Sequence, residues 1–187
     1  MKVLIIDNFD SFTYNLHHYV SEFSESCDVV RSDKINEVEV KKYDKIILSP
    51  GPSLPKDHPE IFNILRDYYS SKSILGICLG HQAIAEFFGS DLKNLSEVKH
   101  GVTSENITIR EDILFDNLPK RFQVAHYHSW VVDESSLSDN LRVTSKNEEG
   151  LVMSINHKKF DVKGIQFHPE SVLTPHGKQI IKNWVLS

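Results

Sequence analysis

Cysteine is scarce in this chain: Cys27 and Cys78 are the two among 187 residues. Two cysteines do not make a disulfide framework, and a reactive thiol suits a reducing cytosol, so a cytoplasmic protein is expected. No apolar run approaches the ~20 residues of a membrane span, so no membrane partner is expected. Met1-Lys2-Val3-Leu4-Ile5-Ile6 is too short for a signal-peptide core and lacks a small-residue cleavage site, so it reads as a first strand. There is no basic stripe; the net charge is −5 and the sequence pI about 6.0, which argues against nucleic acid as a partner. Repeats, low-complexity tracts and an interdomain linker are also missing, so residues 1–187 are expected to form one domain. What remains is 40% hydrophobic and 25% charged, the balance of a soluble globular protein.

Strand and helix patterns alternate in the first half. Val3 to Ile6 is a short apolar run. Phe12, Leu16, Tyr19, Val20 and Phe23 then recur at helical spacing, with Asp10 or Ser11 placed to cap. Val29-Val30 and Lys45-Ile46-Ile47-Leu48 read as strands, and Pro59 opens a helix with Ile61, Ile64, Leu65 and Tyr68 on its apolar side. Ser73 to Ile77 is a further strand. The order predicts a parallel sheet with helices on both faces. The second half is β-rich: Asn106 to Arg110, Phe122 to Tyr127, Leu141 to Thr144 and Leu151 to Ile155 read as antiparallel additions. A last helix carries Ile180, Ile181, Trp184 and Val185, with Thr174 as its cap and Pro175 in its first turn. The expected fold is thus α/β, a three-layer sandwich with a mostly parallel central sheet and an antiparallel β-rich addition.

Gly76-Ile77-Cys78-Leu79-Gly80-His81-Gln82 joins a strand-like run to the helix-like run Ala83 to Phe88. Gly-x-Cys-x-Gly between strand and helix has the form of a nucleophile elbow, with Cys in place of Ser. Bulky flanking side chains would collide in so sharp a turn, so glycine stands on both sides. The alternative is a buried core cysteine between two turn glycines. The segment Gly164 to Ser171 weighs against that. A cysteine nucleophile needs a base, and the base an orienting group. His168 and Glu170 are two apart on extended chain, so both point to one face, and Pro169 stiffens the pair.

These two segments resemble the class I (triad) glutamine amidotransferases. Asp7-Asn8-Phe9-Asp10-Ser11-Phe12-Thr13-Tyr14-Asn15-Leu16, Ser49-Pro50-Gly51-Pro52 and Glu170 to Gly177 are similar, more narrowly, to the glutaminase subunit of anthranilate synthase and aminodeoxychorismate synthase. The resemblance runs from about Lys2 to Trp184. It implies Cys78, His168 and Glu170 as catalytic residues acting on L-glutamine through a glutamyl thioester. The oxyanion donors it implies are the N–H groups of Gly51 and Leu79. It implies glutamine contacts from Gly51, Pro52, Ser53, Gln82, Ser129 and Trp130, with backbone contacts after the Tyr127-His128 step. Trp130 stands where leucine is usual and Ser53 where a second glycine is usual. The implied partner is a chorismate-using synthase subunit, component I, with Asn8, Phe9, Asp10, Ser11 and Thr13 at the interface; Phe9 is the aromatic anchor expected there. No cofactor is implied.

The competing readings are a free-standing Cys-His-Glu hydrolase of γ-glutamyl bonds and an inactive regulatory subunit. The intact Cys78, His168 and Glu170 argue against the second. Of ten histidines only His168 has a catalytic neighbour in sequence. His126 and His128 share one strand face, but no Cys or carboxylate set at ligand spacing joins them, so no metal is expected. Cys27 is expected to be a small core residue.

Overall fold

The computed structural model describes residues 1–187, apart from the Glu37 side chain. Nine strands form a single sheet in the order β2-β1-β3-β4-β9-β8-β7-β5-β6. The strands β1 (Lys2–Asp7), β2 (Ser26–Arg31), β3 (Lys45–Leu48), β4 (Ser73–Ile77) and β9 (Val162–Ile165) pair in parallel. Antiparallel pairing then takes over through β8 (Val152–His157), β7 (Leu141–Asn147), β5 (Leu92–Thr108) and β6 (Arg121–Val132). The mixed α/β sandwich is therefore the expected one.

The parallel strands read as unbroken apolar runs because helices cover both faces. Leu4, Ile6, Ile46, Leu48 and Ile74 point to one side, where Ile61, Ile64 and Leu65 of α2 (Pro59–Tyr68) and Ala83 and Ile84 of α3 (Leu79–Phe87) pack on them. Val3, Ile5, Ile47, Leu75 and Ile77 point to the other. There they meet Leu16 and Val20 of α1 (Thr13–Ser21) and Ile180, Ile181, Trp184 and Val185 of α4 (Gly177–Leu186). Period-2 alternation thus sends one run of sequence into two cores.

The structure corrects the two expected helix caps. Phe12 occupies the position before α1 and makes no side-chain cap bond. Asp10 Oδ2 instead accepts from Phe12 N–H (2.8 Å), and Asp7 Oδ1 accepts from Thr13 Oγ1 (2.9 Å). Helix α4 begins only at Gly177, so Thr174 is free for another bond: its Oγ1 donates to His168 O at 2.7 Å. The long strand β5 was signalled only at its end. Residues 92–105 are mostly polar and exposed, and register shifts between Asn94 and Lys99 and between His100 and Val102 break any alternation. Cys27 is half-buried at the margin of the second core rather than inside it.

Candidate active site

The chain leaves β1 to one side for β2 and returns on the other for β3, so the β1–β3 boundary is a topological switch point. Ligands of open α/β sheets gather outside the strand ends at such points. Here the loops after β1, β3 and β4 carry Asn8, Gly51 and Cys78.

Cys78 occupies the junction between β4 and α3 with φ 49° and ψ −98°, a strained conformation for a non-glycine residue. Its N–H donates to Ile165 O (2.8 Å), which ties the turn to β9. The flanking glycines are required by contact. A Cβ on Gly76 would lie 2.4 Å from the Gly80 carbonyl, and one on Gly80 would lie 2.3 Å from Leu48 O. Leu79 follows as the first helical residue, where no carbonyl within the helix is available to its N–H.

His168 and Glu170 follow β9 on a loop that the structure holds from several sides. His168 N–H donates to Ala125 O (3.1 Å), and Thr174 Oγ1, which also accepts from Ala125 N–H (3.0 Å), holds the His168 carbonyl. His168 Nδ1–H donates to Glu170 Oε1 at 2.6 Å, with both side chains buried. Nε2 is buried with no hydrogen-bond partner among the described residues, and Cys78 lies close enough to act on the imidazole. Burial alone would discharge this imidazole, but the Glu170 carboxylate and the Cys78 sulfur outweigh it and raise its pKa well above the ordinary histidine value. Asp10 lies near enough to feel the His168 and Glu170 charges. Burial raises its carboxyl, while the Phe12 N–H and the His168 charge pull it down.

A cavity of about 190 Å³ opens at Cys78. Gly51, Pro52, Ser53, Leu79, Gln82, Ser129 and Trp130 line it, so the residues expected to bind substrate share one wall system. Val98, His100, Tyr127 and His128 complete it. Gly51 is wedged under this wall; a Cβ there would sit 2.6 Å from Asn8 O and 2.8 Å from a Leu79 methyl. Ser53 has φ 68°, the left-handed conformation that favours glycine. The Gln82 amide donates to Trp130 O (2.9 Å) and to Gln166 Oε1 (3.3 Å), so it also braces the segment it faces.

Gln166 was missed in the sequence, although it precedes His168 by two residues on extended chain. Its amide lies 3.6 Å from the Cys78 sulfur. The alternation of Gln166, His168 and Glu170 was the available signal. The expected interface set divides by its exposure in the lone chain. Asn8 and Thr13 are fully buried, because they are spent on bonds to Ser49 and Asp7. Phe9 and Ser11 are exposed, and Asp10 is intermediate. His81 packs beneath β9, and burial lowers its pKa to about 3. His126 and His128 pair with each other (3.0 Å) and with Ser104 (2.6 Å to His126); burial holds them neutral, at about 4 and about 3. Among the described residues, no three His, Cys, Asp or Glu side chains converge as for a metal ion. No helix is long and apolar enough to cross a membrane.

A strained cysteine at a strand–helix junction, close to a buried histidine–glutamate pair at the edge of an open α/β sheet, defines a class by its geometry: an α/β protein with a cysteine on a nucleophile elbow. The chain belongs to the glutamine amidotransferase class-I family, whose model matches residues 4–187. It is 41% identical to anthranilate synthase component 2 of Porphyra purpurea, over 98% of each chain. It is 39% identical to aminodeoxychorismate synthase component 2 of Escherichia coli, again over 98% of each. Among solved structures, a Thermotoga maritima glutamine amidotransferase superposes with a TM-score of 0.76 at 17% identity, covering 100% of this chain and 96% of that one. A Thermoplasma acidophilum protein described as part of a GMP synthase superposes more closely, with a TM-score of 0.88 at 23% identity. That match covers 99% of this chain and 92% of that one.

Proposed function

We propose that this chain is a glutaminase subunit that hydrolyses L-glutamine at Cys78 and delivers ammonia to a separate chorismate-using synthase. The observation that carries the chemistry is the buried His168–Glu170 pair at 2.6 Å near Cys78, with Nε2 left without a hydrogen-bond partner among the described residues. The names of the two relatives support the partner, since a component 2 implies a component 1. The synthase that docks decides whether anthranilate or aminodeoxychorismate is made.

In this reading, glutamine enters the Cys78 cavity with its δ-carbonyl oxygen toward the N–H groups of Gly51 and Leu79. The Cys78 sulfur attacks the δ-carbon with its proton already held on His168 Nε2. The tetrahedral oxyanion is held by those N–H groups, each worth about 2.7–4 kcal/mol of barrier. Collapse breaks the carbon–nitrogen bond, and His168 returns the proton to the leaving nitrogen, so neutral ammonia departs and a γ-glutamyl thioester remains. Water then attacks the thioester, gives a proton through His168 to the sulfur, and glutamate leaves. Glu170 holds the imidazole orientation throughout.

The test is glutamine hydrolysis by the chain alone, then with chorismate and its synthase partner. Glutamine-dependent aminated product only in the mixture is the expected result. Rapid hydrolysis by the lone chain with no transfer in the mixture would favour a free-standing hydrolase.

A further inference from the structure

The ammonia formed at Cys78 must leave by a path, and the cavity walls restrict where that path runs. A second hollow, a groove of about 660 Å³, is lined in part by Glu170 and Ser171. Phe12, Tyr19, Glu170, Ser171 and Val172 border it, and Val172 at its rim is 90% exposed. Among the described residues, only Tyr127 lines both this groove and the Cys78 cavity. The partition between the two spaces therefore includes one side chain with a face in each.

Tyr127 is also the aromatic neighbour of the catalytic imidazole. Its ring meets His168 edge-on, with centroids 4.9 Å apart and planes at 70°. His100 packs edge-on against it from another side at 5.3 Å, and Phe12 lies 5.9 Å away. Strand alternation makes this possible: His126 and His128 turn inward and are buried, while Tyr127 turns outward and is half-buried. Its hydroxyl is held by a single long contact, 3.4 Å to Ser171 Oγ, at the limit of a hydrogen bond. The ring is thus confined by packing, and the hydroxyl only weakly.

We propose that Tyr127 is a positioning residue with two duties. Its ring fixes the plane of the His168 imidazole, and its bulk stands between the glutamine cavity and the open groove beside Glu170 and Ser171. This rests on the glutaminase reading above. The ring is the operative part, because it makes the contacts on both sides. The hydroxyl serves only to hold the ring against Ser171. Displacing the ring joins cavity and groove, which admits water to the thioester side and lets ammonia escape before transfer.

The experiment uses the chain with its synthase and chorismate, and reads two quantities. One is kcat and KM for glutamate release; the other is the ratio of aminated product to glutamate. In Tyr127→Ala, kcat falls by about ten- to a hundredfold, as expected when a catalytic group is misplaced, with KM changed far less. The product-to-glutamate ratio falls below that of the wild type. In Tyr127→Phe, which keeps the ring and guards against a simple folding defect, both quantities return to near wild-type values. Unchanged kcat and ratio in Tyr127→Ala overturn the proposal, as does a Tyr127→Phe variant as defective as the alanine one. A wild-type complex that forms no glutamate would instead overturn the glutaminase reading itself.

Discussion

Asn8 and Ser49 fasten two loops across the β1–β3 switch point. Asn8 N–H donates to Ser49 Oγ at 2.9 Å, and the Asn8 side-chain amide donates to Ser49 O at 3.0 Å. Phe9, the next residue on one side, is 49% exposed at φ 64°, with the Arg31 guanidinium 4.6 Å above its ring. Gly51, two residues on at the other side, carries the proposed oxyanion N–H.

Pressure on Phe9 would therefore reach Gly51 through a buried bond pair. The lone chain is expected to be a weak glutaminase that docking of the synthase accelerates, a gating that prevents wasted glutamine. Phe9→Ala should weaken assembly and glutamine-dependent synthesis while thermal unfolding stays close to wild type. Glutamine kinetics with and without the synthase decide the matter. A lone chain as fast as the complex would sink the gating idea.

The two thiols should react differently with a glutamine-like diazo-ketone. Burial, reinforced by Asp28, pushes the Cys27 thiol up to about 12, so it stays protonated. Cys78 faces the cavity and His168. Mass spectrometry should place the label on Cys78 alone. Cys78→Ala should abolish glutamine-dependent synthesis and leave ammonia-dependent synthesis by the partner intact. A label on Cys27 would refute the assignment.

His168 and Glu170 should not be equivalent. A general base typically supplies about 10²–10⁴-fold, so His168→Ala should lose glutaminase activity toward the upper end of that range. Glu170→Gln should cost less, because its amide oxygen can still accept from Nδ1 and orientation is only part of the work. Steady-state kinetics of both variants with the synthase present measure this. Near-normal turnover in His168→Ala would end the triad reading.

Strands β3 and β4 were legible to the residue because buried parallel strands are unbroken apolar runs flanked by turn residues. The elbow was legible because its glycines are dictated by contacts under 2.5 Å that no side chain survives. Strand β5 was not, since a two-sided polar ribbon with register shifts carries no period-2 signal. Nor did the sequence distinguish Asn8 and Thr13, which are buried, from Phe9 and Ser11, which are exposed. A polar residue looks the same in a string whether its partner is water or Ser49. Thr174 shows the same limit: it fits a helix cap by type, but the His168 carbonyl took its hydroxyl.

Ser53 offers a stability test at the pocket rim. Its φ of 68° costs a non-glycine residue roughly 1–2 kcal/mol. Ser53→Gly removes that strain but adds about 0.5–1 kcal/mol of unfolded-chain entropy. The net should be a small gain or no change in urea unfolding, while Ser53→Val should be clearly destabilising, since β-branched residues resist this conformation. A markedly less stable Ser53→Gly protein would show that the serine side chain supports the loop in some other way.

The three buried histidines predict how stability responds to acid. His81 and His128 are lowered to about 3 and His126 to about 4, each chiefly by burial. In the unfolded chain each titrates near 6.5. Their contribution is therefore complete above about pH 6.5 and is lost as pH falls toward the folded values. In that window each removes up to about 1.4 kcal/mol per pH unit, because the unfolded state takes up a proton that the folded state refuses. His168 offsets part of this between pH 7.5 and about 6.5. Its folded pKa is raised, so its contribution is complete below about pH 6.5, declines as pH rises above that and is lost as pH passes its folded value. The Asp112 and Asp10 carboxyls, raised by burial, work the other way, but only as pH nears the carboxylate range. Urea unfolding at pH 7.5 and at pH 5 should thus show the chain less stable at the lower pH by more than one histidine alone could cause. Equal stability at the two values would mean that these rings are wet or charged in the folded protein.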